Sequence, residues 1–390
     1  MVDKWRASTW GEEISLEYGR ALRSHGLGQG RYRVFGANGP IGWTSEPLAP
    51  GPGVILGRKG AYRGVAFSRE PFFVIDTAYY VVPRNDLDMR WLYYAIKHYK
   101  LGEVDDGSPI PSTTRAAVYM LDVDVPPLEE QRAIARILST LDDKIELNRK
   151  MSATLESLAQ ALFKSWFVDF DPVRAKTEGR DPGLPKCIAD LFPDRLVESE
   201  VGEIPATWRV GVVGDAAVVS SGKRPELRYS EPSRLAEVPL WGGNGPMGFV
   251  PKALVESPIL LTGRVGTLGS VFRISTPCWP SDNTLVIRPN QDESFEYLFL
   301  QLRRIDFASL NRGSTQPLLT QGDLKSQPLL LAPDAVVHAF HLFAKRIYQR
   351  IDDAAKESAT LVSMRDTLLP KLISGELRIK QAADLVEQVA

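Results

Sequence analysis

Phe35-Gly36-Ala37-Asn38-Gly39-Pro40-Ile41-Gly42 recurs 206 positions later as Trp241-Gly242-Gly243-Asn244-Gly245-Pro246-Met247-Gly248. The same offset carries Gly57-Arg58-Lys59-Gly60 onto Gly263-Arg264-Val265-Gly266. It holds through Asp76 and Asp282, Gly107-Ser108 and Gly313-Ser314, Thr114 and Thr320, and Pro127 and Pro333. Nearer the start, Trp5-Arg6 and Gly19-Arg20 match Trp208-Arg209 and Gly222-Lys223 at an offset of 203. Scattered glycines do not keep register over such a distance, so the chain is an internal duplication.

Each copy is followed by a stretch free of helix breakers. Residues 26–64 hold eleven Gly and four Pro, whereas 128–168 and 334–369 hold neither. Glycine and proline are costly inside helices, so the two empty windows are predicted to be long helices. In the first, Ile134, Leu138, Leu141, Ile145, Asn148, Ser152, Leu155, Ala159, Leu162 and Trp166 follow alternating steps of four and three. That is the seam of a coiled coil, with Asn148 and Ser152 as polar register-setters. In the second, Phe340, Phe343, Ile347, Ile351, Ala354, Ser358, Leu361, Leu368 and Leu372 make a looser seam, with Gly375 near its end. About 40 helical residues span ~60 Å. Residues 171–205 contain five Pro and many charges and are expected to be a surface linker.

The chain has 390 residues, 44% apolar and 24% charged, which are ordinary values for a globular protein of two or three domains. No apolar run is long enough to span a membrane, and the first residues lack a signal-like apolar region. Two isolated cysteines, Cys187 and Cys278, make a disulfide framework or a structural zinc site unexpected. A cytoplasmic location is expected. The net charge is −1, but it is unevenly spread. Residues 18–69 carry eight basic groups against Glu46 alone, and residues 209–273 carry eight against five. Such patches suit a polyanion, although a basic stretch alone is also an ordinary solvated face.

The catalytic motifs sought are missing. There is no phosphate-binding GxxxxGK[ST] loop, no G-x-S-x-G elbow and no Asn-Pro-Pro-Tyr-like tetrapeptide. Gly26-Leu27-Gly28-Gln29-Gly30 lacks the flanking strand and helix of a dinucleotide loop. His338 and His341 have no carboxylate or cysteine partner nearby in sequence and read as packing or surface residues, and Asp142-Asp143 and Asp352-Asp353 as solvated acids. No cofactor and no metal is expected. Gly57-Arg58-Lys59-Gly60 has strand-like flanks, so it reads as a β-turn offering Arg58 rather than a helix-flanked nucleic-acid clamp.

The run Pro127-Leu128-Glu129-Glu130-Gln131-Arg132-Ala133-Ile134-Ala135-Arg136-Ile137-Leu138, followed by Leu141-Asp142-Asp143-Lys144-Ile145, resembles the central helix of type I restriction–modification specificity subunits. So does Leu162-Phe163-Lys164-Ser165-Trp166-Phe167-Val168-Asp169-Phe170-Asp171-Pro172-Val173. Gly202-Glu203-Ile204-Pro205-Ala206-Thr207-Trp208 is similar to the family's lead-in to its second recognition domain. Gly313-Ser314-Thr315-Gln316-Pro317 and Leu372-Ile373-Ser374-Gly375-Glu376-Leu377 are similar to its late signatures. The resemblance implies an α+β fold with two pseudo-symmetric, loop-rich α/β recognition domains joined by two long antiparallel coiled-coil helices. The corresponding division is 1–127, 128–170, 171–205, 206–333, 334–380 and 381–390.

The resemblance further implies a non-catalytic DNA-binding subunit that reads a bipartite target in double-stranded DNA. It would dock two methyltransferase subunits, with restriction subunits joining the full assembly, and leave methyl donor and ATP to those partners. Where the second half has Gln316 the first has Ile110, so a role for one does not transfer to the other. Candidate DNA contacts are Arg31, Arg33, Arg58, Lys59 and Arg63 in the first half and Lys223, Arg224, Arg264 and Arg273 in the second, with Asn38 and Asn244 at the matching turns. Arginine suits phosphate and guanine, while asparagine also tolerates the left-handed conformation of a turn. A coiled-coil adaptor with two interaction heads would explain the repeat but not the cationic 18–69 segment.

Overall fold

The computed structural model describes residues 5–22, 30–105, 107, 111–266, 268–313 and 317–387. The helices that frame the account are α1 (Met89–His98), α2 (Arg115–Tyr119), α3 (Leu128–Phe167), α4 (Phe295–Leu302), α5 (Gln321–Lys325) and α6 (Asp334–Ile373). Two loop-rich α/β domains are joined by the long helices α3 and α6. The chain divides into two compact units, and the division falls inside both long helices. Unit 1 is Met1–Arg149 with Ala355–Ala390, and unit 2 is Lys150–Ala354.

Unit 1 contains strands β1 (Ile14–Tyr18), β2 (Tyr32–Gly36), β3 (Gly39–Thr44), β4 (Gly53–Gly57), β5 (Val65–Ser68), β6 (Phe72–Val74) and β7 (Ala78–Pro83). One sheet has the order β1-β7-β4-β5 and is antiparallel throughout. The other has the order β3-β2-β6, with β2 parallel to β6. Strand β4 is buried on both faces because alternate side chains serve different cores. Val54 and Leu56 join the larger core, while Ile55 joins Phe35 and Phe72 in a smaller one. The larger core is closed by Trp91, Leu92, Ala95 and Ile96 of α1, a helix capped by Asp88, which accepts from Arg90 N and Trp91 N at 2.9 Å. Ile134, Leu138 and Leu141 of α3 and Leu361, Leu368 and Leu372 of α6 complete it.

Within unit 1 the two helices run antiparallel. Asp142 meets Arg365 at 2.9 Å, and Asn148 Nδ2 donates to Glu357 Oε2 at 2.7 Å. Buried Asn148 is the polar seam residue expected from the sequence, satisfied across the helix pair. Helix α6 ends at Ile373, not at 380, and Gly375 takes φ +73° just beyond it. A further helix, Ile379–Glu387, puts Ala382 and Val386 into the same core, so much of the expected tail is packed structure.

Unit 2 repeats the topology. Its strands are β8 (Ala217–Ser221), β9 (Val238–Gly242), β10 (Gly245–Val250), β11 (Ile259–Gly263), β12 (Val271–Ile274), β13 (Trp279–Pro280) and β14 (Thr284–Pro289). The sheet orders are β8-β14-β11-β12 and β10-β9-β13, strand for strand those of unit 1. Even the β-bulge between Val34 and Phe35 has its counterpart between Leu240 and Trp241. The core is strongly aromatic. Trp166 lies 5.2 Å from Phe192 and 6.1 Å from Phe340, and Phe167 packs at 4.7 Å against Tyr297 of α4. Cys278 is buried in the smaller core, and burial pushes its thiol up to about 11.

Two sequence readings are corrected here. Residues 171–205 form helices Asp171–Thr177 and Lys186–Ala189 and the hairpin Leu196–Ser199/Gly202–Pro205. Val173, Phe192 and Phe170, the last at φ +57°, pin them to the unit 2 core, so prolines there shape short elements rather than free a linker. The acids at 142 and 352 are not solvated. Asp142 takes Tyr94 Oη at 2.6 Å as well as Arg365, and Asp352 takes Arg273 at 2.8 Å. These partners are distant in sequence, which is why local reading misses them.

Candidate nucleic-acid interface

The two glycine-flanked turns share one backbone frame. In unit 1, Arg58 N donates to Thr77 O at 2.9 Å, Thr113 N to Arg58 O at 2.9 Å and Gly60 N to Pro111 O at 3.1 Å. In unit 2, Arg264 N donates to Asn283 O at 2.9 Å, Leu319 N to Arg264 O at 2.8 Å and Gly266 N to Pro317 O at 3.0 Å. Gly60 and Gly266 adopt φ +109° and +83°, the region that favours glycine, and a Cβ on Gly57 would lie 2.1 Å from Ala37 O. The glycine pattern therefore specifies the backbone, and the residues between the glycines specify what it offers.

What is offered differs between the halves. In unit 1 the Arg58 guanidinium lies 5.1 Å from the Tyr18 ring and donates through Nε and Nη2 to Asp76 O at 3.2 and 2.9 Å. Lys59 is exposed beside it. Tyr62, at the end of the same turn, is 79% exposed, whereas its counterpart Leu268 packs against the unit 2 core. On the neighbouring hairpin, Arg33 stacks on Trp43 at 4.5 Å and exposed Arg31 lies 5.8 Å from the Tyr32 ring. In unit 2, Lys223 and Arg224 are exposed at the end of β8, with Lys223 O accepting from Trp279 Nε1 at 2.6 Å. Arg264 is half-buried. Burial pushes the Tyr79 phenol, behind Tyr18, up to about 12.

The structure turns two of the candidate cations inward. Arg63 donates from Nε to Gly102 O at 2.8 Å and from Nη1 to Gly60 O at 2.9 Å, which locks the turn from behind. Arg273 is only 12% exposed, bonded to Asp352 at 2.8 and 3.0 Å and 3.9 Å from Glu296. Both residues hold the scaffold on which the exposed cations sit. Asn38 and Asn244 are exposed at their hairpin turns, but the left-handed positions belong to Gly39 (φ +110°) and Gly245 (φ +120°). The asparagines are thus not there to tolerate that conformation. His341 has the carboxylate partner the sequence hid: its Nδ1 lies 2.8 Å from buried Glu296. No cluster that could hold a metal ion exists among the described residues. Ile110, Gln316 and most of Gly26–Gly30 lie outside the described residues.

Sequence reasoning passed over Tyr18, Tyr62 and Arg115. Each was visible by extending the offset beyond the glycine turns, because Arg115 falls opposite Gln321 and Tyr18 opposite Ser221.

A duplicated fold that holds two identical backbone frames and furnishes them with different side chains defines a two-headed recognition protein. A profile of the type I restriction modification DNA specificity domain matches residues 23–157 and 205–354, one stretch per repeat. The chain is 26% identical over 345 residues to the type I restriction enzyme HindI specificity subunit of Haemophilus influenzae, covering 72% of this chain and 74% of that one. It is 24% identical over 356 residues to the MjaIX specificity subunit of Methanocaldococcus jannaschii, covering 84% and 78%. The crystal structure of a type I restriction–modification S subunit from Mycoplasma genitalium has the same fold, with a TM-score of 0.64 at 18% identity, over 95% of this chain and 96% of the other. The chain belongs to the family of type I restriction–modification DNA specificity subunits. Its function is DNA recognition by two target recognition domains, without catalysis of its own. Among the described residues no helix is long and apolar enough to cross a membrane.

Proposed function

We propose that each recognition domain, 1–127 and 206–333, reads one half of a split target in double-stranded DNA. The long helices dock two methyltransferase subunits, and restriction subunits complete the assembly. Methyl donor and ATP are handled by those partners. The observation that carries this reading is the shared turn frame with unlike contents: Arg58 and Lys59 in one half, Arg264 and Val265 in the other. A single backbone geometry suits a repeating partner such as a duplex, and unlike side chains suit unlike base sequences. The names of the relatives, each a specificity subunit of a type I restriction enzyme, point the same way.

The test is methylation-aware sequencing of a host carrying this chain with its methyltransferase subunits. A methylated motif of two different short sequences separated by a fixed gap is expected. A contiguous motif, or none, would overturn the reading. Within it, Arg58→Ala is expected to weaken binding or relax one half-site by about 1–3 kcal/mol if the guanidinium contacts a base. The other half-site keeps its preference in motif mapping of the variant.

A further inference from the structure

Beside the unit 1 turn stands a cation that no glycine pattern marks. Arg115, the first residue of α2, holds its guanidinium 4.2 Å from the Tyr18 ring, while Arg58 lies 5.1 Å from the same ring. Tyr18 is 48% exposed and Arg115 35% exposed, so the group opens to solvent. Among the described residues the ion pair of Arg115 is with Glu17, at a loose 3.5 Å, and its buried Nε has no hydrogen-bond partner. Arg58, by contrast, spends Nε and Nη2 on Asp76 O. A guanidinium held against an aromatic face has its in-plane donors fixed in direction, and the loose contact of Nη2 with Glu17 can be exchanged for an acceptor on a ligand. That is the geometry for two parallel hydrogen bonds to the O6 and N7 acceptors of guanine in the major groove.

The second half confirms that the position is variable while its surroundings are not. Thr114 and Thr320 cap the first turns of α2 and α5 in the same way, accepting from Ala117 N at 3.4 Å and Asp323 N at 3.1 Å. At the Arg115 position unit 2 has Gln321, and at the Tyr18 position Ser221. The two again touch, at 3.0 Å, but as a neutral pair. The frame thus carries a paired position whose chemistry changes between the halves.

We propose that Arg115, oriented by Tyr18, is a specificity-determining residue that reads a guanine in the half-site recognised by unit 1. This rests on the DNA-reading function proposed above. The full chain, assembled with its methyltransferase subunits, would select from randomised duplexes in parallel with Arg115→Lys, which keeps the charge and loses the planar fork. Preference for guanine at one position of one half-site is expected to fall about ten-fold or more, with the other half-site unchanged. Replacing that guanine by 7-deazaguanine, which lacks the N7 acceptor, is expected to weaken the parent and to weaken Arg115→Lys much less. The DNA-side change needs no altered protein: a parent complex that tolerates 7-deazaguanine throughout that half-site overturns the inference even if the variant folds poorly. Tyr18→Leu is expected to relax the same position. An unchanged motif in Arg115→Lys overturns the inference. So does a uniform loss of affinity over all sequences, which marks a phosphate contact, or relaxation in both half-sites. If the parent complex selects no bipartite sequence, the DNA-reading proposal itself has failed. If the parent selects one and Arg115→Lys selects the same, only the role of Arg115 has.

Discussion

Replacing Trp166 by alanine is expected to destabilise unit 2 by about 3–5 kcal/mol, the range for deleting a large buried aromatic. The indole is 1% exposed and meets Phe192, Phe340 and Phe343 edge-on at 5.2, 6.1 and 6.3 Å. Phe192 comes from the segment 171–205 and Phe340 and Phe343 from the start of α6, and buried Phe192 and Phe340 are held against other rings of the core, which resists collapse into the void. Hydrogen exchange read by mass spectrometry checks this: amides of α4 and β14 lose protection, while those of α1 in unit 1 keep theirs. Equal loss in both units would show that the aromatic core is not confined to unit 2.

Arg273→Met is expected to cost a further large amount, about 3–5 kcal/mol, although no packing volume is lost. Methionine keeps a long stem near the Tyr348 ring, which the guanidinium approaches to 4.9 Å. It leaves Asp352 without its cation, and leaves the nearly sealed carboxylate of Glu296, 4% exposed, with the His341 ring at 2.8 Å as its remaining partner among the described residues. Truncating one partner of a buried pair is far worse than replacing the pair, so adding Glu296→Gln and Asp352→Asn should restore part of the loss. Arg132→Met removes an exposed pair with Glu129 and should change stability by less than ~1 kcal/mol. Urea denaturation followed by tryptophan fluorescence compares the four proteins. An Arg273→Met midpoint equal to that of Arg132→Met would count against a stabilising role for the buried cation.

The duplication and the two long helices were legible because each rests on a local or periodic signal, whereas the antiparallel pairing of the helices was implied by the family resemblance. Glycines at 57, 60, 263 and 266 mark backbone that other residues cannot form, and the empty windows mark helix. The charged residues were harder to place. Arg58 and Arg63 stand five positions apart on one turn, yet Arg58 lies on an exposed tyrosine and Arg63 is tied to Gly60 and Gly102 carbonyls. Arg273 looked like a surface cation because Asp352 and Glu296, which claim it, belong to helices far along the chain. Direction of a side chain is decided by tertiary partners, and composition carries no record of them. Arg115 was missed for the opposite reason: it follows a plain helix cap, and its interest lies in Tyr18, nearly a hundred residues earlier.

Because the division between the units falls inside both long helices, unit 2 is one uninterrupted stretch while unit 1 is stitched from segments on either side of it. A ribosome making this chain delivers the sheets of the first domain before unit 2. It delivers Leu361, Leu368 and Leu372, which seal that domain's core, only after unit 2. The domain begun first is therefore closed last, and its apolar floor stays open while the whole of its twin is being made. A premature stop shortly after Ala354 would accordingly cripple the first head and spare the second, which is encoded next to the lesion.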